Sequence, residues 1–336
     1  MKMKNICIYG LGAIGGLMAA RLAAAGYTVS AIARGATRDA VNEHGLHWTE
    51  DGVERTVAIR ATSDPLELGH QDLVILSVKT TALPEIAARI APLIGPSTTV
   101  LSAMNGIPWW FLHGLDHAPT GLSLDRVDPA GVVSKAVAPS IVVGCVTHLS
   151  AAVTAPGRVR HVAGNRLIVG EPSGGVETER ARAVHDLLLR AGFEVELAPS
   201  IQQEIWFKLW GNMTVNPVSL LTTATGDRML DDALVRAFMS RCMVEASALG
   251  SRLGLPIDAD PEARHAVTRQ LGAFKTSMLQ DVEGGKPVEL DALLGVVIDL
   301  ARQLEVATPN LDALFGLARL RASQLGLYSV SDATAA

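Results

Sequence analysis

The sequence lacks the features that mark two large classes of protein. It has no block of basic residues, and its 34 acidic side chains outnumber its 29 Lys and Arg side chains, for a net charge of −5. Nucleic-acid binding is disfavoured, because neutralising phosphates requires clustered basic side chains. The chain also has no apolar, charge-free run of about 20 residues, so we expect no membrane span.

Cysteine is scarce too. Cys7, Cys145 and Cys242 lie far apart and outside metal-type spacing, so we expect reduced thiols in the core and no metal site. The lysines at the start of the sequence precede an apolar run and superficially resemble a secretion signal. Glycines between Gly10 and Gly16 break that run, and a strand, a turn and a helix account for it better. We therefore expect a cytoplasmic protein.

What is present indicates two domains. The 336 residues exceed the usual size of one core, and a hydrophobic content of 49% is typical of a folded chain rather than a disordered one. Strands and helices alternate up to Pro199, and only helical periodicity follows from Ser200. We predict an α/β Rossmann-type domain over residues 1–199, followed by an all-α domain over residues 200–330.

The N-terminal pattern is an apolar strand, Asn5–Tyr9, then a glycine turn and a helix. The turn has the spacing G-x-G-x-x-G. Gly10 permits a tight turn, Gly12 lets the backbone approach a pyrophosphate, and Gly15 allows close helix–strand packing. A glycine-rich turn without a nucleotide is the alternative. The residues assigned to cofactor binding here are Gly10, Leu11, Gly12, Ala13, Ile14 and Gly15.

The end of the second predicted strand, Thr28–Ala33, indicates which dinucleotide binds. NAD enzymes usually place Asp or Glu there, whereas this chain has Arg34, and Arg38 follows with no acid in between. A guanidinium would bind the 2′-phosphate of NADP, which a carboxylate would repel. We therefore predict NADPH as the cofactor, with solvated surface arginines as the alternative.

Polar residues also follow two strands that are predicted to be buried. Asp72–Val78 ends at Lys79, and Thr98–Ala103 is followed by Asn105. Ligands of open α/β sheets bind beyond the carboxyl ends of the strands, so we expect both residues to border cofactor or substrate. A loop lysine, and an asparagine that caps a turn with Gly106, are the structural alternatives.

The segment Ile107–Pro139 shows little periodicity and contains the adjacent Trp109 and Trp110. Long irregular segments in compact domains are often lids or binding loops. The two tryptophans could line a substrate pocket, mediate self-association as in a homodimer, or pack on the sheet. The three interpretations stay open.

In the C-terminal half, Lys208, Asn212 and Asn216 stand four residues apart among apolar residues. On a helix they form one polar stripe. Pro217 is expected to end that helix at Asn216, because proline disfavours helical geometry at the residue before it. A helix whose lysine simply reaches solvent is the alternative.

Two further candidates come later in the chain. Ser277 is expected near a helix end, and Glu289 in the first turn of the next helix. Each has a simple structural explanation when it is considered alone.

In this order and spacing, the motifs resemble the ketopantoate reductase (2-dehydropantoate 2-reductase) family along essentially the whole chain. The resemblance implies an NADP-binding domain and a helical domain like that of 6-phosphogluconate dehydrogenase. It also implies the reduction of a 2-keto acid by NADPH, first of all 2-dehydropantoate, as in pantothenate and coenzyme A biosynthesis. The motifs that carry the resemblance are GLGAIGG from Gly10, Arg34, Val78-Lys79, Asn105-Gly106, K-x-x-x-N-x-x-x-N-P from Lys208, SMLQD from Ser277, and Glu289.

The resemblance also implies a role for each candidate. Lys208 would be the general acid, because an ammonium group stabilises and protonates the oxygen that becomes negative as hydride reaches the ketone carbon. Glu289 would accept a hydrogen bond from a substrate hydroxyl. The other implied roles are substrate binding by Asn212, Asn216 and Ser277, and contact with nicotinamide and substrate by Lys79 and Asn105.

The sequence also departs from the family. Phe274 and the Thr225-Gly226 turn stand where some members have asparagine, so a related 2-keto acid stays open as the substrate. Two other functions stay open as well. A β-hydroxyacid dehydrogenase also sets Lys and Asn four apart after a Rossmann domain, although SMLQD and Glu289 count against it. A non-catalytic NADPH-binding sensor could use the Trp109-Trp110 segment as a contact surface.

Overall fold

The structure, a computed structural model, describes residues 3–175 and 178–329. They fall into two compact units. One comprises the residues up to Met104 together with Ala130–Glu204, and the other comprises Asn105–Pro129 together with the residues from Ile205 onward. An α/β sheet unit and a helical unit are thus confirmed. The expected boundary after residue 199 stays a prediction, and the segment 105–129 groups with the helices.

The first unit is built on a sheet of ten strands. The strands are β1 (Asn5–Tyr9), β2 (Thr28–Ile32), β3 (Leu46–Glu50), β4 (Val53–Val57), β5 (Arg60–Thr62), β6 (Leu73–Leu76), β7 (Thr99–Ser102), β8 (Val142–Ala155), β9 (Arg158–Gly170) and β10 (Glu194–Leu197).

Six strands form a parallel part of this sheet, in the order β5-β2-β1-β6-β7-β8. This is the usual strand order of doubly wound dinucleotide-binding folds. Every residue of β6 and β7 is buried, which explains their continuous apolar sequences, since such strands are covered on both faces. Strand order reverses at β1, where Ile6 pairs with Val29 on one side and Leu73 on the other. Ligands of such sheets bind at this reversal.

The remaining strands extend the sheet beyond β8. The turn residues Asp51-Gly52 predict a hairpin, which is present as antiparallel β3 and β4. From sequence alone, Gly157–Val162 and Asn165–Gly170 are predicted to be the two short strands of a hairpin, and this prediction is wrong. The chain runs as one strand, β9, which pairs with β8 from Gly144 to Ala155 with some shifts of register. Pairing with β8 supplies the backbone hydrogen bonds that carry β9 through Gly164, which local sequence does not reveal.

Among the described residues of the first unit there are five α-helices. They are α1 (Ala13–Ala24), α2 (Gly35–His44), α3 (Leu83–Ala87), α4 (Val132–Ala136) and α5 (Glu179–Arg190). Leu17, Met18 and Leu22 of α1 are completely buried and join the core of the sheet. This packing fixes the start of α1 at the carboxyl end of β1.

The second unit contains α6, which begins in the last residues of the first unit, and the helices that follow. They are α6 (Ile201–Thr222), α7 (Gly226–Asp231), α8 (Ala233–Arg252), α9 (Pro261–Arg269), α10 (Ser277–Glu283), α11 (Val296–Gln303) and α12 (Pro309–Gln324). A π-helical turn, Asp291–Gly295, leads into α11. Within the described ranges, we find no helix whose length and apolar character would suffice to cross a bilayer.

The prediction that Pro217 ends the helix at Asn216 is wrong. Helix α6 continues through Pro217 to Thr222. The proline lacks one helical N–H, but Val218, Ser219 and Leu220 are buried. The burial of this last turn therefore outweighs the local preference.

The adjacent tryptophans are buried, with Trp109 4% and Trp110 1% exposed. The next residue, Phe111, packs against Trp206 of α6 with 6.3 Å between ring centroids. The segment thus packs on a helix rather than on the sheet. A buried pair does not offer the exposed contact surface that the sensor hypothesis requires.

Candidate active site

The glycine turn follows β1 and packs against the residues that follow β6. Gly10 has φ +100°, and a Cβ atom there would lie 2.6 Å from Val78 Cγ1 and 2.9 Å from the Ser77 carbonyl oxygen. Only glycine fits this position, because both the backbone angle and the space exclude a side chain. Lys79 follows Val78 directly and is half-buried, so it lies one residue beyond this contact.

The other two glycines differ in what surrounds them. A Cβ on Gly15 would overlap the Gly10 carbonyl oxygen and lie 3.2 Å from Ile8 Cγ2, so α1 sits directly on β1. A Cβ on Gly12 would meet nothing within 4 Å. The backbone at Gly12 therefore borders open space.

The open space beside Gly12 is suited to the pyrophosphate of a dinucleotide. No side chain caps the start of α1, and its first turn carries no acid. The first N–H groups of a helix have no partner within the helix and attract anions. The turn and the first residues of α1 can therefore hold a pyrophosphate. Leu11 of this segment is buried, whereas Ala13 and Ile14 are half-buried.

Arg34 precedes α2 at the end of β2 and is exposed. Its Nη1 donates a hydrogen bond to Glu85 Oε1 of α3 at 2.7 Å. Arg38 instead pairs with its neighbour Asp39 at 2.6 Å. Arg34 and Glu85 both line a cavity of about 180 Å³ beside Gly10, and Arg38 is not among its lining residues.

In the second unit, Lys208 of α6 and Asn105 are brought together. Lys208 Nζ donates a hydrogen bond to Asn105 Oδ1 at 2.9 Å, and both residues are half-buried. The asparagine oxygen thus fixes where the ammonium group points. Asn212, one turn along α6 from Lys208, is also half-buried.

Asn105 is positioned by the glycine that follows it. Gly106 has φ +78°, and a Cβ there would lie 2.5 Å from the carbonyl oxygen of Ala292 in the π-helical turn. That same oxygen accepts a hydrogen bond from the Ile107 amide at 2.8 Å. Half-buried Glu289 lies two residues before this turn, and its carbonyl accepts a hydrogen bond from the Leu293 amide at 3.2 Å. The segments of Asn105 and Glu289 are therefore held together.

A second contact joins α6 to α10. Asn216 is 5% exposed, and its Nδ2 lies 3.5 Å from the Oγ of Ser277, which begins α10 as expected. Next to it, the hydroxyls of Ser219 and Thr276 are 2.5 Å apart, and Thr276 caps α10 by accepting from the Leu279 amide. The polar stripe of α6 thus meets the start of α10.

Arg126, which the sequence did not single out, anchors the segment 105–129. Its guanidinium is 8% exposed and donates to Asp299 at 2.5 Å and to Asp291 at 3.0 Å. Burial alone would lower its pKa, but the two carboxylates outweigh burial and raise it. Asp291 also accepts from the Tyr328 hydroxyl at 2.8 Å. These contacts hold the π-helical turn beside Glu289.

Arg264 of α9 is a second residue that the sequence did not single out. Its guanidinium lies against α6 at Gly211, where a Cβ would be 3.1 Å from Nε and 3.2 Å from Nη2. The group stacks on Phe207 at 5.5 Å. Its Nε has no hydrogen-bond partner among the described residues, and burial lowers its pKa. Gly211 was the available signal, because a glycine inside a helix often marks a close approach.

Comparison with known proteins matches both units. Residues 6–174 match the family described as ketopantoate reductase PanE/ApbA, and residues 200–322 match its C-terminal region. A 2-dehydropantoate 2-reductase from Mesorhizobium japonicum is 41% identical over 97% of this chain and 100% of its own length.

Solved structures agree with this match. The crystal structure of a proposed ketopantoate reductase from Ralstonia solanacearum is 51% identical, with a TM-score of 0.92 over 97% of this chain and 100% of that chain. A D-mandelate dehydrogenase solved with NADH and anilino(oxo)acetate shares the fold, with a TM-score of 0.83 at 21% identity over 96% of this chain and 99% of that one.

Proposed function

Because the chain belongs to the ketopantoate reductase PanE/ApbA family, we propose that it reduces 2-dehydropantoate to pantoate with NADPH. The observation that carries the proposal is the hydrogen bond from Lys208 Nζ to Asn105 Oδ1. It holds an ammonium group in place beside a stripe of amides. A ketone reductase needs such a donor, because its substrate oxygen becomes negative during the reaction.

NADPH, when bound, would supply the hydride that reduces the ketone carbon. Lys208 donates a proton to the carbonyl oxygen, and Asn105 keeps the ammonium oriented toward it. This proton transfer needs hydrogen-bond distance. Lys208 is therefore the catalytic acid of the proposal, and Asn105 its positioning partner.

The rest of the substrate is held by polar groups of three segments. Asn212 and Asn216 of α6 and Ser277 of α10 offer neutral donors to the carboxylate and hydroxyl groups. Glu289 only accepts hydrogen bonds when ionised, so it suits a substrate hydroxyl. In 2-dehydropantoate that hydroxyl is the one on the carbon farthest from the carboxylate.

Arg264 is our candidate for binding the substrate carboxylate. It is a partly buried cation without a carboxylate partner among the described residues. Its guanidinium lies against Gly211, the residue before Asn212 on α6. A desolvated charge is costly unless an opposite charge meets it. A 2-keto acid brings that charge.

On the cofactor side, Gly10–Gly15 and the start of α1 would hold the pyrophosphate, and Arg34 the 2′-phosphate. Lys79 follows the β6 contact with Gly10 and would border the nicotinamide half. NADPH as the preferred form, a cytoplasmic location and self-association are parts of the proposal that derive from the sequence.

The test is a substrate panel with the purified chain, using NADPH and NADH in parallel. We expect turnover of 2-dehydropantoate. We also expect a loss of about 10²-fold or more in kcat/KM for 3,3-dimethyl-2-oxobutanoate, which lacks only the hydroxyl, since a site built for a hydroxyl rejects its absence strongly. Glu289→Leu should remove most of that discrimination.

The same panel tests the dehydrogenase alternative. Oxidation of 3-hydroxy acids at higher efficiency than reduction of 2-dehydropantoate would contradict the proposal. Equal efficiency with both keto acids in the wild-type chain would contradict the role of Glu289 but leave 2-keto acid reduction in place.

A further inference from the structure

The cavity beside Gly10 carries charges of both signs. It lies where β1 and β2 end, and its volume is about 180 Å³. In doubly wound folds the adenosine ribose binds near the end of the second strand. Arg34, Glu85 and Arg89 all line the cavity. Two cations and one anion thus share the place where a ribose or its 2′-phosphate would bind.

The anion comes from a part of the chain that the sequence pattern did not indicate. No acid follows β2, but Glu85 in the first turn of α3 accepts a hydrogen bond from Arg34 at 2.7 Å. A carboxylate at this place has two effects. It can accept a hydrogen bond from a ribose 2′-hydroxyl, and it repels a 2′-phosphate while occupying the arginine that would bind it.

The second cation is Arg89 rather than Arg38. Arg89 Nη2 donates to the Ser63 carbonyl at 2.9 Å, which holds its guanidinium at the cavity. The Tyr9 hydroxyl also lies within the field of these charges. Burial raises its pKa most, Arg89 and Arg34 lower it, and Glu85 raises it. The three charges therefore act on the same small volume.

We propose that Glu85 limits the preference of this chain for NADPH over NADH. With NADPH, Arg34 exchanges Glu85 for the 2′-phosphate, and Arg89 supplies a second positive charge. With NADH, the Arg34–Glu85 pair stays, and Glu85 accepts a hydrogen bond from the 2′-hydroxyl. The chain then binds both cofactors, with a smaller preference for NADPH than two arginines alone would give. This inference rests on the proposed nicotinamide cofactor.

The test measures binding of two cofactor fragments by calorimetry on the full chain. Adenosine 2′,5′-bisphosphate carries the 2′-phosphate, and 5′-AMP carries the free hydroxyl. In Glu85→Gln we expect the bisphosphate to bind about tenfold more tightly and 5′-AMP about threefold more weakly, or 1.4 kcal/mol and about half of that. Binding of fragments does not depend on the keto acid, so the result stands apart from the proposed reaction.

Glu67→Gln is the matched control. Glu67 forms an equally exposed pair with Arg60 at 2.8 Å in the same unit, and it does not line the cavity. This variant removes the same charge from the protein, and it should leave both affinities within about twofold of wild type. A change common to both variants would show that net charge alone is responsible, which would overturn the proposal.

Arg89→Gln tests whether Arg89 supplies the second positive charge for the 2′-phosphate. We expect it to weaken the bisphosphate about tenfold and to leave 5′-AMP within about twofold. An unchanged ratio of the two affinities in Glu85→Gln would overturn the role of Glu85. If the wild-type chain bound neither fragment, the cofactor site itself would be refuted, and this inference with it.

Discussion

The two units prepare for their ligands in different ways. In the first, the backbone forms most of the candidate site, because three glycines within six residues leave open space at Gly12 and close contacts at Gly10 and Gly15. In the second, side chains form the candidate site. Lys208 meets Asn105 across 103 positions of the sequence, and Asn216 meets Ser277 across 61. A backbone site is thus compact in sequence, whereas a side-chain site exists only after the helices have packed.

The largest effect should come from filling the open space of the backbone site. Gly12→Ala places a Cβ where nothing lies within 4 Å, so we expect unchanged thermal stability but NADPH binding weaker by about 10²-fold, or 2.7 kcal/mol. Gly15→Ala is the counterpart. Its Cβ would overlap the Gly10 carbonyl, so we expect a loss of about 1–3 kcal/mol of stability. Melting temperatures and calorimetric titration distinguish the two. Equal stability losses in both variants would refute the contrast.

Substitution of Gly106 in the second unit should affect activity only by displacing the neighbouring Asn105 side chain. Gly106→Ala would press on the Ala292 carbonyl, 2.5 Å from the new Cβ, and displace Asn105 from Lys208. We expect kcat to fall about 30-fold, since small misplacements of catalytic groups cost up to about 10²-fold.

Gly121→Ala is the control for Gly106→Ala. Gly121 has a similar φ of +87° in the same segment, but a Cβ there would meet nothing within 4 Å. The strain of the left-handed backbone is then the same, and kcat should stay near wild type. A similar loss of kcat in both variants would mean that backbone strain, and not the Asn105 contact, is responsible.

Substitution of Arg264 tests whether the second unit also supplies a positive charge that binds the substrate carboxylate. In Arg264→Met we expect KM for the keto acid to rise about tenfold, or 1.4 kcal/mol, with little change in kcat. Arg241→Met is the control, because Arg241 likewise stacks on a phenylalanine, Phe238, at 5.9 Å in the same unit. The methyl ester of the substrate should show no such rise in KM. A rise for acid and ester alike would point to a packing defect instead.

The smallest effect should come from an ion pair of the first unit that serves only stability. Burial raises the pKa of Glu50, but its hydrogen bond and charge pair with buried Arg21 outweigh burial and lower it. A carboxyl group whose pKa is lower in the folded than in the unfolded chain stabilises the fold at pH values above its pKa in the unfolded chain. This contribution is lost as the pH falls through its pKa in the folded chain. Glu50→Gln should therefore cost about 1 kcal/mol at pH 7 and less at pH 4.

Chemical denaturation at the two pH values measures this difference. Glu54→Gln is the control, since Glu54 pairs with Arg158 nearby but is 51% exposed, and surface pairs contribute little. A cost for Glu50→Gln that is the same at both pH values would contradict the ion-pair explanation.

The contrast between the units also explains what could be predicted from sequence. The strand Asn5–Tyr9 and the glycines after it are local patterns, and the structure has both as expected. The continuity of β9 and of α6 through Pro217 depends on pairing and burial by distant residues, so local rules failed there. The spacing of Lys208, Asn212 and Asn216 and the place of Asn105 after a buried strand were local signals too. The roles of these residues, and the significance of Ser277 and Glu289, came only from the family resemblance.

Glu85, Arg89 and Arg264 were missed for a related reason. Glu85 and Arg264 stand on helices and Arg89 in the turn after α3. None has a motif around it, and the significance of each comes from what it faces after folding. Arg264 left an indirect trace in Gly211, because the guanidinium needs the space that a side chain there would fill. Glu85 left none, since the rule for cofactor choice considers only the end of the second strand.

In the proposed reaction, Lys208 donates the proton to the reduced ketone. The direct measurement is the single-turnover rate of 2-dehydropantoate reduction in Lys208→Met, together with the Kd for NADPH. Lys135→Met serves as the control, since Lys135 is exposed in the first unit and its Nζ donates to the Ala130 carbonyl at 2.9 Å. We predict a rate at least about 10²-fold lower for Lys208→Met with the Kd within about twofold of wild type. An unchanged rate in that variant would contradict the account.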